Sequence, residues 1–388
     1  MTYNFDKIID RSRSNSVKWN ADEIKNDRDI LPMWVADMDF KVADEILEAL
    51  KEPIDHGILG YNIIPDSFYN AIISWVDKKH NWKIKKEWIS FLPGIVPGIS
   101  VATNEFTEEG DEVLIQPPVY HPFYRVAKNN KRKIIENQLK IEEDEYKMDF
   151  KDMREKITEN TKLAVLCSPH NPVGRVWERG ELEEFGKICL DHNIIIVSDE
   201  IHNDLVFNKN VHTPTANVSR DIMMNTITFM SPSKTFNIPG LYASVAIIPN
   251  DSLKNRFDER LSKWEMGGTN TFSLKGFTAA YDKGEEWLNQ ALEYIEENID
   301  FAVKYINENI KGVKTYKPDG TYLMWLDFNS SGKTQEELEE LLLEKGKVML
   351  NNGEMFGPGG EGFFRLNIGC PRSVLEEGLR RIKKALEE

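Results

Sequence analysis

A lysine set among small hydroxyl residues directly after an apolar run is placed for amine chemistry. Lys234 stands in the run Ser231-Pro-Ser-Lys-Thr-Phe-Asn-Ile-Pro-Gly-Leu241, which follows Thr226-Ile-Thr-Phe-Met230. An ε-amine that is held still, partly desolvated and close to an anion site forms Schiff bases with carbonyl compounds. Two companions lie upstream: Asn171-Pro-Val-Gly174 after one apolar run, and Asp199-Glu-Ile-His202 after another. Each piece alone marks only a turn, a helix cap or a surface lysine. Their order and spacing carry the argument.

The ordered set resembles a fold-type I pyridoxal-phosphate enzyme, and that cofactor makes five demands that can be sought along the chain. Lys234 is the candidate for the Schiff-base amine. Asp199, ending the run Ile194–Ser198, is the carboxylate that keeps the pyridine nitrogen protonated, because a buried acid beside a fixed cation keeps its charge. Asn171 sits where α/β folds bind ligands, at the carboxyl edge of the sheet, and partners the ring phenolate oxygen. His202 supplies a second hydrogen bond to that oxygen or is a structural histidine. The phosphate is expected at the backbone N–H groups of Ile95 and Val96 in Pro93-Gly-Ile-Val-Pro-Gly98, which precedes the helical Ile99–Phe106, with the hydroxyls of Ser231 and Ser233 alongside. Tyr120, in Pro117-Pro-Val-Tyr-His-Pro122, is the candidate to stack on the pyridine face, or else a rim aromatic. Arg365 lies in the apolar run Phe363-Phe-Arg-Leu-Asn-Ile-Gly-Cys-Pro-Arg372. It is the candidate for a substrate carboxylate, which a guanidinium grips through two parallel N–H bonds.

These residues need a frame. Glu112–Ile115, Lys162–Cys167, Ile194–Ser198, Thr226–Met230 and Ser244–Ile248 are near-continuous apolar segments of strand length, as strands covered on both faces are. Glu181–His192 carries apolar residues at helical spacing between two of them. A mostly parallel sheet wrapped by helices is expected, with Ser244–Ile248 as an antiparallel member. Beyond it, Glu285–Asn309 has a long apolar stripe from Trp287 to Ile306. A strand at Tyr322–Asp327 follows, then helices opened by capping boxes at Thr334–Glu337 and Ser373–Glu376. The expected division is a large domain over residues 51–288. A smaller α+β domain is built from residues 1–50 and 289–388.

Bulk properties narrow the partners. The chain has 388 residues, with 49 basic and 64 acidic side chains and a formal charge of −15. That balance repels nucleic acid and anionic lipid. Cys167, Cys189 and Cys370 are too few and scattered for a zinc site or a disulfide framework, so no metal is expected and the thiols read as reduced. With no apolar leader or spanning run, the expectation is a soluble, cytoplasmic protein acting on a small amino acid.

A narrower resemblance spans nearly the whole chain. Trp34-Val-Ala-Asp-Met-Asp-Phe40, Gly60-Tyr61, Pro169-His-Asn-Pro-Val-Gly-Arg-Val-Trp177, Asp199-Glu-Ile-His202, Ser233-Lys-Thr-Phe-Asn-Ile-Pro-Gly240 and Arg365-Leu-Asn-Ile-Gly-Cys-Pro-Arg372 are similar to the cystathionine β-lyase/cystalysin branch of the class I/II aminotransferase family. The resemblance implies a homodimer with shared active sites, in which Tyr61 of the partner subunit reaches the cofactor phosphate. Many transaminases place an arginine eight residues after the lysine and a tyrosine three after the aspartate. Here those positions are Tyr242 and His202, which agrees with the lyase branch. The implied reaction is α,β-elimination: freed Lys234 takes the Cα proton, a β-thiolate leaves, and pyruvate and ammonia follow. The rivals are an aminotransferase using the same residues and a binding or regulatory protein on the same fold.

Overall fold

The computed structural model describes residues 2–207 and 209–387. Its centre is a seven-stranded sheet of β1 (Ile89–Leu92), β2 (Glu112–Ile115), β3 (Lys133–Glu136), β4 (Thr161–Cys167), β5 (Ile195–Asp199), β6 (Thr226–Met230) and β7 (Ser244–Ile247). The spatial order is β1-β7-β6-β5-β4-β2-β3. β7 runs antiparallel to both neighbours, and β2 to β6 pair in parallel. The expected strands are all present within a residue or two, and β1 and β3 extend the sheet at its edges.

Alternation explains the apolar runs. Leu163, Val165 and Cys167 of β4 feed the core beneath α3 (Ile95–Phe106) and α6 (Asp251–Lys263). Ala164 and Leu166 feed the opposite core, under α4 (Arg179–Asp191). From Leu163 to Cys167 neither face meets water, so that run is apolar, whereas Lys162 at its start is exposed. At Gly98 a Cβ would lie 2.6 Å from the Phe229 ring, so only glycine lets α3 press this closely onto β6.

A second, four-stranded sheet is antiparallel: β8 (Lys314–Thr315), β9 (Leu323–Asp327), β10 (Asn351–Asn352) and β11 (Phe363–Asn367), in the order β8-β9-β11-β10. α7 (Glu285–Asn309) and α8 (Arg372–Glu387) flank it, and α7 buries Trp287, Leu288, Ile295, Ile299 and Ile306 as its stripe predicts. The capping box at Thr334 and Glu337 forms. The second one does not: α8 begins at Arg372, which places Ser373 inside the helix instead of at its cap.

The N-terminal segment joins both units. Leu31–Pro32 pairs in parallel with Val348–Met349, beside the small sheet. The chain then runs into α1 (Asp44–His56) and α2 (Asp66–His80). α1 passes through position 50 and α7 through position 288, so both expected domain boundaries fall within continuous helices.

Candidate active site

The carboxyl ends of β4, β5 and β6 lie side by side, with Cys167 opposite Asp199 and Asp199 opposite Phe229 in register. Parallel strands therefore deliver Asn171, Asp199 and the Lys234 loop to one edge. Lys234 lies in α5 (Pro232–Thr235), a single turn capped by Ser231, whose hydroxyl accepts the Ser233 N–H at 3.1 Å and donates to the Ala243 carbonyl at 2.7 Å. Ser231 is thus committed to shaping the turn, and Ser233 is the more open hydroxyl.

The Lys234 amine donates to the Ala36 carbonyl at 2.5 Å. Burial and, next, the Arg365 charge push it down to about 8, against the pull of Asp37 and Asp199. Asp199 is 3% exposed, and its carboxylate accepts the Ile201 N–H at 3.2 Å. Burial raises it to about 7. His202 is buried, held well below its ordinary value by desolvation, and its Nδ1 has no partner. The Tyr120 phenol is likewise raised by burial, with Asp199 the next cause.

Arg365 reaches this edge from the other sheet. Its guanidinium donates to Asn171 Oδ1 at 2.9 Å, to Asn351 Oδ1 at 2.5 Å and to the Trp34 carbonyl at 3.0 Å, while Nε is unpartnered. Phe356 stacks beneath it, 5.0 Å from ring centroid to guanidinium carbon. Burial lowers Arg365 to about 10, and among the described residues it pairs with no carboxylate. Because Arg365 occupies the Asn171 oxygen, the amide N–H pair of Asn171 is the group left to face a ligand.

The residues at α3 behave differently. Gly94 caps α3 without a side chain, and Pro97 has no N–H, so the N–H groups of Ile95 and Val96 are the donors its first turn offers. Tyr61 sits apart, fully exposed in an irregular segment with Ile58, Leu59 and Ile63 exposed around it. Tyr242, in a left-handed conformation, is exposed and lines the same cleft as Lys234, a space of about 630 Å³.

One wall of the site escaped sequence reasoning. Segment 33–40 presents the Ala36 carbonyl to both Lys234 and the Tyr322 hydroxyl, the latter at 2.9 Å. Asn237 clamps it by accepting the Met38 N–H and donating to the Met38 and Phe40 carbonyls. Asn367 donates to the Val35 and Asp37 carbonyls. Arg11 bridges Asp37 and Asp39, and Lys18, 1% exposed, meets Asp39 at 2.6 Å. The signal existed as the Trp34–Phe40 motif, but nothing in its residue types announces a carbonyl aimed at a distant lysine.

These groups fit pyridoxal phosphate. A buried acid short of donors suits a ring N–H, the unpartnered His202 Nδ1 and the Asn171 amide suit a ring oxygen, and the free N–H groups of α3 suit a phosphate. Arg365 remains for a carboxylate.

The aminotransferase class I and II family model matches residues 28–382. Cystathionine beta-lyase PatB of Bacillus subtilis is 46% identical over 99% of this chain and 100% of its own length. Cystalysin from Treponema denticola, which contains a pyridoxal 5'-phosphate cofactor, superposes with a TM-score of 0.96 at 35% identity, covering 100% of this chain and 99% of its own. A PLP-bound Clostridium difficile 630 protein with an aminotransferase designation superposes with a TM-score of 0.97 at 49% identity, covering 99% and 100%.

Proposed function

The chain belongs to the aminotransferase class I and II family, and from that premise we propose a pyridoxal-phosphate-dependent carbon–sulfur β-lyase. It cleaves cystathionine or related cysteine thioethers to a thiol, pyruvate and ammonia. The observation that carries the reading is a desolvated lysine, pushed down to about 8, between a buried acid and a buried arginine that share no ion pair of their own.

When bound, the cofactor supplies an electron sink for negative charge at the substrate Cα. The chain's residues do the rest. Arg365 binds the substrate carboxylate and so fixes which Cα bond points at Lys234. The Lys234 amine, neutral for much of its time near pH 8, takes the Cα proton as general base. Asp199 would hold the ring N–H, and Asn171 and His202 would donate to the ring oxygen, with Tyr120 against the ring. Ile95, Val96 and Ser233 would hold the phosphate, with Ser231 shaping the Lys234 turn and Tyr61 of the partner subunit completing the cradle.

The same reading takes the protein as a cytoplasmic homodimer. Exposed Ile58, Leu59, Tyr61 and Ile63 in one segment support a covered face there, and sedimentation at micromolar concentration tests it. No described helix is long and apolar enough to cross a membrane, and all three cysteines are buried and unpaired. With a large domain over residues 51–288 and a small one over 1–50 and 289–388, Lys234 belongs to the first and Arg365 to the second. Because both boundaries run through helices, hydrogen exchange with and without substrate analogue, which would slow exchange in the two units separately, checks that division.

Incubating the holoenzyme with cystathionine and assaying pyruvate tests the activity. Pyruvate without any added oxo acid supports elimination. Stable pyridoxamine phosphate, with keto acid formed only when an amino acceptor is present, replaces it with the aminotransferase reading, to which the Clostridium difficile relative's designation points.

A further inference from the structure

A buried polar strut runs behind the site, and the chemistry proposed above uses none of it. At one end Glu200, fully buried, directly follows Asp199. Its Oε1 accepts the Ser198 hydroxyl and the Thr215 N–H, both at 2.9 Å, and its Oε2 meets His212 Nε2 at 2.9 Å. At the other end Asp204 accepts the Thr235 hydroxyl at 2.9 Å and the Trp75 indole N–H at 3.1 Å, and meets His80 Nε2 at 3.0 Å. His80 and His212 touch edge to face, with centroids 5.4 Å apart at 86°. Asp204, His80 and His212 are each less than a tenth exposed, and Thr235 is wholly buried.

Stability alone is a poor reason for such an arrangement, because well-packed apolar residues replace buried ion pairs at little or no loss. Geometry is a better one. α5 is four residues long, too short to hold its own orientation by backbone bonding. Thr235 is the residue after Lys234, and its hydroxyl is tied to a carboxylate that α2 fixes independently through Trp75 and His80. We propose that Asp204 is a positioning residue for Lys234, acting through Thr235 to set the direction of the amine. The edge-on histidine pair links this brace to Glu200, and hence to the strand end that carries Asp199. The inference rests on Lys234 being the Schiff-base residue.

The test compares wild type, Thr235→Val, Thr235→Ser and His80→Gln. Two quantities are read: the rate at which cofactor-free protein develops its visible chromophore on adding pyridoxal phosphate, and kcat against KM for cystathionine. Thr235→Val keeps the shape and loses the hydroxyl, so chromophore formation and kcat each fall by about tenfold while KM stays within about twofold, the size expected of a lost bond to a charged group. Thr235→Ser restores both rates, and His80→Gln, which leaves the Thr235–Asp204 bond in place, lowers them less than Thr235→Val. Wild-type rates in Thr235→Val overturn the proposal, as does a Thr235→Ser variant as slow as the valine, which would assign the effect to packing. Should the valine variant fail to fold, Asp204→Asn, which offers one acceptor oxygen to three donors, is read the same way, and a wild-type chromophore rate there overturns the proposal. Wild-type protein that develops no chromophore removes the Schiff-base reading itself, a failure seen before any variant is compared.

Discussion

Asp199 and Arg365 are opposite charges buried on different sheets, and neither is neutralised as the buried charges of the N-terminal segment are. Lys18 is as deeply buried and has Asp39 at 2.6 Å, with Arg11 closing the set on Asp37 and Asp39. That cluster is matched in charge and, with Asn237 and Asn367, holds segment 33–40 in place. Among the described residues, Asp199 instead has one backbone N–H, and Arg365 has amide and carbonyl oxygens only. Burial accordingly raises the acid and lowers the base. A charge left without its counter-charge in a closed space is a place where a ligand brings the missing one. The contrast separates charges that build the protein from charges that wait for chemistry.

Removing the amine between the two unmatched charges has the largest expected effect. Lys234→Ala loses the visible chromophore and at least about 10³-fold in pyruvate production, the upper range for a general base. A variant retaining more than about a tenth of wild-type turnover would detach the site from Lys234. Arg365→Lys keeps the charge and loses the fork, so KM for cystathionine rises by roughly ten- to a hundredfold, as when bonds to a charged group are lost. An unchanged KM would mean that another group takes the carboxylate.

Asp199 offers a test without substrate. Its folded value, about 7, lies above the ordinary 3.8, so the folded state binds more protons than the unfolded chain between those values. The stability of cofactor-free protein therefore falls as pH rises from about 4 to 7, through this group. Asp199→Asn has no such group, so its melting temperature exceeds that of wild type at pH 8 and the gap closes near pH 4. A pH-independent gap would contradict the account. The smallest effect falls on the charge-matched region: Asn237→Ala frees the Met38 and Phe40 carbonyls and costs roughly 1–3 kcal/mol in urea unfolding. A neutral result would show that the ion cluster and Asn367 hold the segment without Asn237.

Much of this was open to reading along the chain. Strands covered on both faces are built mostly of apolar residues, so β2, β4, β5, β6 and β7 declared themselves, and their carboxyl ends located Asn171, Asp199 and Lys234. The edge strand β3 did not, because Lys133 and Glu136 break its apolar run where water reaches it. Ser373 misled as a cap, since the same residue types serve inside the first turn.

Local order, then, was settled by residue type and spacing: which segments are strands, which loop ends each, and which side chain stands there. What required the folded chain is everything joined across large sequence separation. Arg365 meets Asn171 across 194 residues, and Lys234 meets Ala36 across 198. A backbone carbonyl has the same chemistry at every position, and an unpaired charge is recognisable only once its surroundings are assembled. Neither can be seen until tertiary packing has brought the distant segments together and excluded water from between them.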